Sequence, residues 1–216
     1  MNMKGIIFDV DGTIIDSMPL WYNSGARYLK SIGVEPEKNL GDILFKMTLD
    51  LGVDYIIENY DIDKTKEEVS KGIRDVIEDF YINHSELKDG AREILEYFKE
   101  REIEMVVATS TEREYVEAAF KRLGIEDYFS RIYTCSEVGK CKSEPDIFME
   151  AVSFLGTPIE ETWVFEDGLY SIKTAKKEGF KIVGVYDEVS SHEQDEIKEY
   201  SDIYLKSFKD FFEIVE

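Results

Sequence analysis

Residues 5–16 read GIIFDVDGTIID, a short apolar run that stops abruptly at carboxylates and a glycine. A run of this length and composition reads as a strand buried on both faces, with Asp9 and Asp11 where it ends and Gly12 permitting a tight turn. Similar runs recur along the chain as EMVVATS (104–110), RIYTC (131–135), TWVFED (162–167), KIVGVY (181–186) and DIYLK (202–206). Between them lie amphipathic stretches. Ala91, Ile94, Leu95 and Phe98 keep the spacing of one helix face, as do Val116, Ala119, Phe120 and Leu123, and Phe148, Ala151, Val152 and Leu155. Strands alternating with helices predict an α/β protein, with a Rossmann-like parallel sheet covered by helices on both faces.

Residues 17–84 break the alternation. They hold no convincing strand and read as successive helices, entered at Pro19 with Asp16 and Ser17 as capping candidates. Val69, Ile73, Val76, Ile77 and Phe80 form the apolar stripe of the last long helix, and NHSELKDG (83–90) reads as the return. The expected organisation is therefore a core of 1–16 and 85–216, interrupted by a helical insert at 17–84, with hinges near Asp16–Met18 and Asn83–Glu86.

The 216 residues carry a formal net charge of −21, which argues against nucleic acid and anionic membranes as partners. No apolar run approaches the roughly 20 residues of a membrane span. The start of the chain lacks the features of a signal peptide, and two cysteines, Cys135 and Cys141, fit a reducing cytoplasm. These two are read as small buried residues, because no histidine or further cysteine nearby completes a zinc site.

In open parallel sheets, ligands bind beyond the carboxyl ends of the strands. Asp9, Thr109 with Ser110, and Glu166 with Asp167 all fall at such ends, and Lys142 in GKCKSEPDIF opens a helix leaning toward the same edge. Two like charges about 4 Å apart repel by roughly 4 kcal/mol at an effective dielectric near 20, so a cation or a proton must relieve Asp9, Asp11 and Asp167. An all-oxygen set suits a hard ion such as Mg²⁺, which commonly shares its shell with phosphate oxygens. A carboxylate with a pKa near 4 is ionised by about a thousand to one at pH 7, so one aspartate can attack phosphorus unaided. The other can carry a proton to the leaving oxygen and take one from water. ATSTERE (108–114) offers hydroxyls and amides at a helix start as a phosphate seat, and Lys142 would neutralise the nucleophile and the phosphoryl oxygens. An EF-hand reading fails, since Ile14 and Leu20 occupy its glycine and glutamate positions.

DVDGT, Thr109 after MVVA, CKSEPDIF and VFEDG resemble the four ordered motifs of the haloacid dehalogenase superfamily, over essentially the whole chain. The insert after the first motif resembles that of the C1-capped subfamily, which includes β-phosphoglucomutases and sugar-phosphate phosphatases. The resemblance implies Asp9 as the nucleophile of an aspartyl-phosphate and Asp11 as general acid and base. It also implies phosphate binding by Thr109 and Lys142, beside which the Ser110 hydroxyl is read as a further phosphate contact, and Mg²⁺ held by Asp9, the Asp11 carbonyl and Asp167, with Glu166 nearby.

The expected activity is Mg²⁺-dependent hydrolysis of a small phosphorylated metabolite, a sugar phosphate foremost. A phosphomutase and a non-catalytic module for phosphorylated ligands are the alternatives. In the insert, Trp21, Tyr22, Arg27, Phe45 and Lys46 are candidates to meet the organic part of a substrate, Trp21 and Lys46 first among them. β-Phosphoglucomutases resemble this stretch but usually carry histidine where Trp21 stands, which weighs against mutase activity.

Overall fold

The computed structural model describes residues 2–215. Six strands form one parallel sheet: β1 (Gly5–Phe8), β2 (Glu104–Thr109), β3 (Arg131–Thr134), β4 (Thr162–Glu166), β5 (Lys181–Val185) and β6 (Ile203–Leu205). Their order across the sheet is β3-β2-β1-β4-β5-β6. The succession reverses at β1, which pairs with β2 on one side and β4 on the other. Loops leaving neighbouring strands diverge there, opening the crevice in which ligands bind in such sheets.

Residues 17–84 form a separate compact unit of helices: α1 (Met18–Ser31), α2 (Leu40–Leu44), α3 (Leu49–Asn59) and α4 (Lys66–Asp79). The other unit comprises residues 1–16 and 85–216 and adds α5 (Ala91–Glu100), α6 (Arg113–Leu123), α7 (Cys135–Val138), α8 (Asp146–Leu155), α9 (Leu169–Lys177), α10 (Gln194–Tyr200) and α11 (Asp210–Val215). No helix among the described residues is long and apolar enough to cross a membrane.

The strand register explains the apolar runs. Ile7 lies level with Val106 and Val164, and Val164 with Ile182, giving one row that packs with Phe148, Ala151, Ile172 and Ile197 of α8, α9 and α10. The next row, Phe8, Val107, Phe165 and Val183, faces the opposite side. There Phe8, Phe98, Phe165, Phe208 and Phe211 interlock, with Phe8 and Phe165 ring centroids 4.6 Å apart. Because both faces are covered, the central strand has no polar position to alternate with, and its sequence is continuously apolar.

In the helical unit, Val69, Ile73 and Ile77 of α4 are buried, while Val76 is only partly so. Thr65 and Glu68 close a reciprocal capping box at the start of α4. Two local expectations are corrected. Ser17 occupies the N-cap position of α1 but makes no side-chain capping bond, its backbone having already entered the helical region. Phe80 belongs to a π-turn (Phe80–His84) rather than to α4, so the apolar stripe outlasts the α-helical hydrogen bonding.

The connections on either side of the helical unit run antiparallel to one another. Ile15 bridges Leu87, the Asp16 amide donates to the Glu86 carbonyl at 3.0 Å, and the Lys88 amide donates to the Ile14 carbonyl at 2.9 Å. Arg122 of α6 secures the returning segment by donating to the Ser85 carbonyl and, at 2.8 Å, to its hydroxyl.

Candidate active site

Pairing of β1 with β4 sets Phe8 level with Phe165, and the Asp9 amide continues the ladder by donating to the Phe165 carbonyl at 2.9 Å. Asp9 therefore emerges beside Glu166, the last residue of β4, and Asp167 follows it. One oxygen from each of these three carboxylates lies within 4.8 Å of the others, and all three residues are buried. No carboxylate trio of this kind forms by local sequence. It exists because two parallel neighbours end at the same level.

After Asp9 the chain folds into a tight turn. The Ile14 and Ile15 amides both donate to the Val10 carbonyl, and Gly12 takes φ +74°, a left-handed conformation that a side chain would strain. Inside this turn the Thr13 hydroxyl reaches Asp167 Oδ1 at 3.5 Å, and Asp11 Oδ2 accepts from the Thr111 hydroxyl at 2.6 Å. Asp11 thus stands one residue beyond Asp9's neighbour and is held by the loop that follows β2.

Lys142, only 2% exposed, supplies the counter-charge. Its ammonium donates to Asp9 Oδ1 and, at 2.8 Å, to Glu166 Oε2. Glu166 is further engaged by the Ser171 hydroxyl at 2.7 Å and the Gly168 amide at 3.0 Å. Burial pushes the Asp9 carboxyl above the ordinary range, the Glu166 and Asp11 charges add to this, and Lys142 opposes it. Asp167 is raised by the same causes, burial first and then its neighbours Glu166 and Asp9. For Lys142, burial disfavours the charge but Asp9 and Glu166 outweigh it, so the ammonium holds its proton more tightly than a free lysine.

Three buried carboxylates facing one ammonium leave an excess of negative charge in a low-dielectric place, and a divalent cation is the natural complement. The donor set, all oxygen, fits a hard ion. Glu166 already accepts three hydrogen bonds, which leaves Asp9 and Asp167 as the better placed ligands.

The remaining expected site residues fall as follows. Thr109 is fully buried at the end of β2, and its hydroxyl accepts from the Thr111 amide at 3.0 Å. Ser110, beyond the strand, has its hydroxyl 3.5 Å from Cys135 Sγ. The helix following this loop begins only at Arg113 with Glu112 as its N-cap, so within ATSTERE only residues 110–112 are loop, with one amide already used by Thr109. In the helical unit, Trp21 is half-buried and donates from Nε1 to the Tyr81 hydroxyl at 2.9 Å, while Lys46 is exposed just after α2. Lys140 is exposed as well. The cysteines correct the expectation of burial: Cys135 is half-buried and Cys141 is exposed, its thiol 2.8 Å from the Ser143 hydroxyl, because the loop carrying it turns outward before Lys142 turns in.

Sequence reasoning passed over Thr111, Ser171 and Lys88. Thr111 lies within the hydroxyl-rich segment already noted. Ser171 sits five positions beyond Glu166, in the first turn of α9, where a hydroxyl gives no motif of its own.

The family profile described as haloacid dehalogenase-like hydrolase matches residues 6–185. The chain is 27% identical to the phosphorylated carbohydrates phosphatase of Thermotoga maritima over 184 residues, 85% of either chain. It is 24% identical to the fructose-1-phosphate phosphatase of Escherichia coli K12, covering 84% of this chain and 95% of that one. A solved Thermotoga maritima structure, provisionally assigned as a β-phosphoglucomutase, superimposes with a TM-score of 0.87 at 24% identity, over 99% of this chain and 98% of the other. With the fold, the strand-end carboxylates and a profile match spanning β1 to β5, this chain belongs to the haloacid dehalogenase-like hydrolases.

Proposed function

We propose that the protein is a Mg²⁺-dependent phosphatase of small phosphorylated metabolites, sugar phosphates foremost, working through a phosphorylated Asp9. The observation that carries this reading is the convergence of Asp9, Glu166, Asp167 and Lys142 beyond the ends of β1 and β4, with Asp11 two residues on. The relatives that act on phosphorylated carbohydrates and on fructose 1-phosphate support the substrate class.

Asp9 and Asp167, together with the Asp11 carbonyl, would hold Mg²⁺, which supplies charge neutralisation for the carboxylates and a phosphoryl group when bound. Lys142 orients Asp9 and offsets charge on the transferring oxygens. A carboxylate oxygen of Asp9 attacks phosphorus, the bond from phosphorus to the sugar oxygen breaks, and the Asp11 carboxylic acid gives its proton to that oxygen. Water then attacks the aspartyl-phosphate while the Asp11 carboxylate takes the water proton. The phosphorus–Asp9 bond breaks, inorganic phosphate leaves, and both aspartates return to their starting forms. Thr109 and Ser110 line the proposed phosphate seat. Residues 17–84 are assigned the role of a helical cap and residues 1–16 with 85–216 that of the core, with Trp21 and Lys46 as contacts to the organic group.

The tether from Trp21 to Tyr81 supports hydrolysis over mutase chemistry, because the position held by histidine in β-phosphoglucomutases is here a ring engaged within its own unit. A panel of phosphorylated metabolites, read by phosphate release with Mg²⁺ and with EDTA, tests the reading. Asp9→Asn should retain the fold and lose turnover by about 10⁴-fold or more. Retained hydrolysis in that variant would overturn the assignment of the nucleophile.

A further inference from the structure

Lys88 lies on the returning connection, outside every motif that marks the site. Its ammonium uses all three of its donors. They go to the Gly12 carbonyl at 2.6 Å, the Tyr186 carbonyl at 2.7 Å and Asp187 Oδ2 at 2.8 Å. Its own amide holds the Ile14 carbonyl at 2.9 Å. The pair is enclosed, with side-chain exposures of 15% for Lys88 and 4% for Asp187. Asp187 is fixed in turn, since its Oδ1 accepts from the Val189 amide at 2.9 Å.

The partners of this ammonium are informative. Gly12 follows Asp11 directly, and Tyr186 and Asp187 follow β5, so one side chain joins the turn after β1 to the loop two strands away. A neutral side chain does not span two carbonyls and a carboxylate at once, and burying a charge is costly unless such partners are supplied. Lys88 touches none of Asp9, Asp11, Glu166 or Lys142 in the contacts described above, although its charge lowers the Asp167 carboxyl against the burial that chiefly raises it. The Gly12 carbonyl is nevertheless part of the turn that aims Asp11 and that places the Thr13 hydroxyl on Asp167.

We propose that Lys88 is a positioning residue: by clasping Gly12 to the end of β5 through Asp187, it fixes the backbone of the Val10–Ile15 turn and hence the placement of Asp11 and of the Thr13 contact to Asp167. A turn of six residues with a left-handed glycine has other conformations open to it. The clasp selects one and keeps it before substrate arrives. The catalytic consequence rests on the function proposed above; the structural consequence does not.

The test compares the whole chain with Lys88→Met, Lys88→Arg and Asp187→Asn, and with Phe120→Leu as a control that loosens the packing on Phe129 without touching the clasp. Hydrogen exchange of the Gly12, Ile14 and Ile15 amides is read against the amides of β2, and kcat and KM are measured with para-nitrophenyl phosphate and Mg²⁺. Lys88→Met should speed exchange of the three turn amides at least tenfold relative to β2 and lower kcat at least tenfold, with KM within threefold of the parent. Lys88→Arg should recover part of both effects, and Asp187→Asn should move both in the same direction as Lys88→Met. Phe120→Leu should lower the melting temperature without singling out the turn. The inference is overturned if the turn amides stay as protected as in the parent, or if kcat falls no further than in Phe120→Leu. Should Lys88→Met fail to fold, Asp187→Asn decides by the same criteria. Should the parent hydrolyse no phosphoester, the functional reading fails, and the exchange data alone uphold or overturn the clasp.

Discussion

Replacing Lys142 with methionine keeps the length of the side chain and removes the one ammonium in contact with Asp9 and Glu166. Three carboxylate oxygens then remain within 4.8 Å of one another with no counter-charge at contact among the described residues. At that separation and an effective dielectric near 20, each like-charge pair repels by roughly 3.5 kcal/mol, so the trio must take up protons or loosen. Breaking a buried pair by deleting one partner generally costs about 3–5 kcal/mol. For a chain of this size each kcal/mol moves the melting temperature by about 2–4 °C, which places the expected fall near 10 °C in metal-free protein at pH 7.5. The pH dependence follows from the direction of the carboxyl shifts. Asp9 and Asp167 are both raised in the folded state, so the unfolded chain releases their protons first. The stability they contribute is present below the ordinary carboxylate range and is lost as pH rises through the folded values. Removing Lys142 takes away the charge that lowers the Asp9 value, so that value rises further and the loss continues to higher pH. Differential scanning calorimetry in EDTA at pH 7.5 and 9.0 checks this: the deficit of Lys142→Met against the parent should widen at the higher pH, where the parent's Asp9, pushed up to about 8, ionises beside Lys142. Melting within 2 °C of the parent at pH 7.5, or an equal deficit at both values, would refute the account of the site as an under-neutralised carboxylate cluster.

Two further outcomes follow from the same structure. Mg²⁺ should stabilise the protein more at pH 7.5 than at 5.5 and release protons on binding, because the raised carboxyls must ionise to ligate it; calorimetric titration in buffers of different ionisation enthalpy reads the proton count, and a buffer-independent heat would contradict it. Thr65→Ala opens the capping box of α4 and should cost about 1 kcal/mol in urea denaturation with phosphatase activity retained, whereas a loss above about 2 kcal/mol would mean that Thr65 does more than cap.

The sheet was legible because its central strands are buried on both faces, which leaves an uninterrupted apolar signature in GIIF and TWVFE. The helices announced themselves through the opposite situation, one buried face and one wet face. Lys142 and Lys140 lie two positions apart in GKCKSEPDIF, yet the structure encloses the first and exposes the second. Lys88 and Asp187 were not legible. They lie 99 positions apart, each looks like an ordinary loop charge, and only the closure of β5 beside β4 brings them together. Ser17 and Phe80 show another limit. Residue type marks a helix end well, but a backbone angle at Ser17 and an extra residue per turn after Asp79 decide what the side chain does. The exposure of Cys141 likewise depends on the path of a loop and not on the apolar character of cysteine.

The side-by-side course of Ile14–Asp16 and Glu86–Lys88 means that the sheet protein does not depend on the inserted helices for its own continuity. Asp16 and Glu86 are already hydrogen-bonded neighbours, so a short turn joining them would bypass residues 17–84 and leave every strand in register. The scaffold is in this sense a socket: both ends of the insert meet at one doorway, within the unit that itself carries the carboxylates and Lys142.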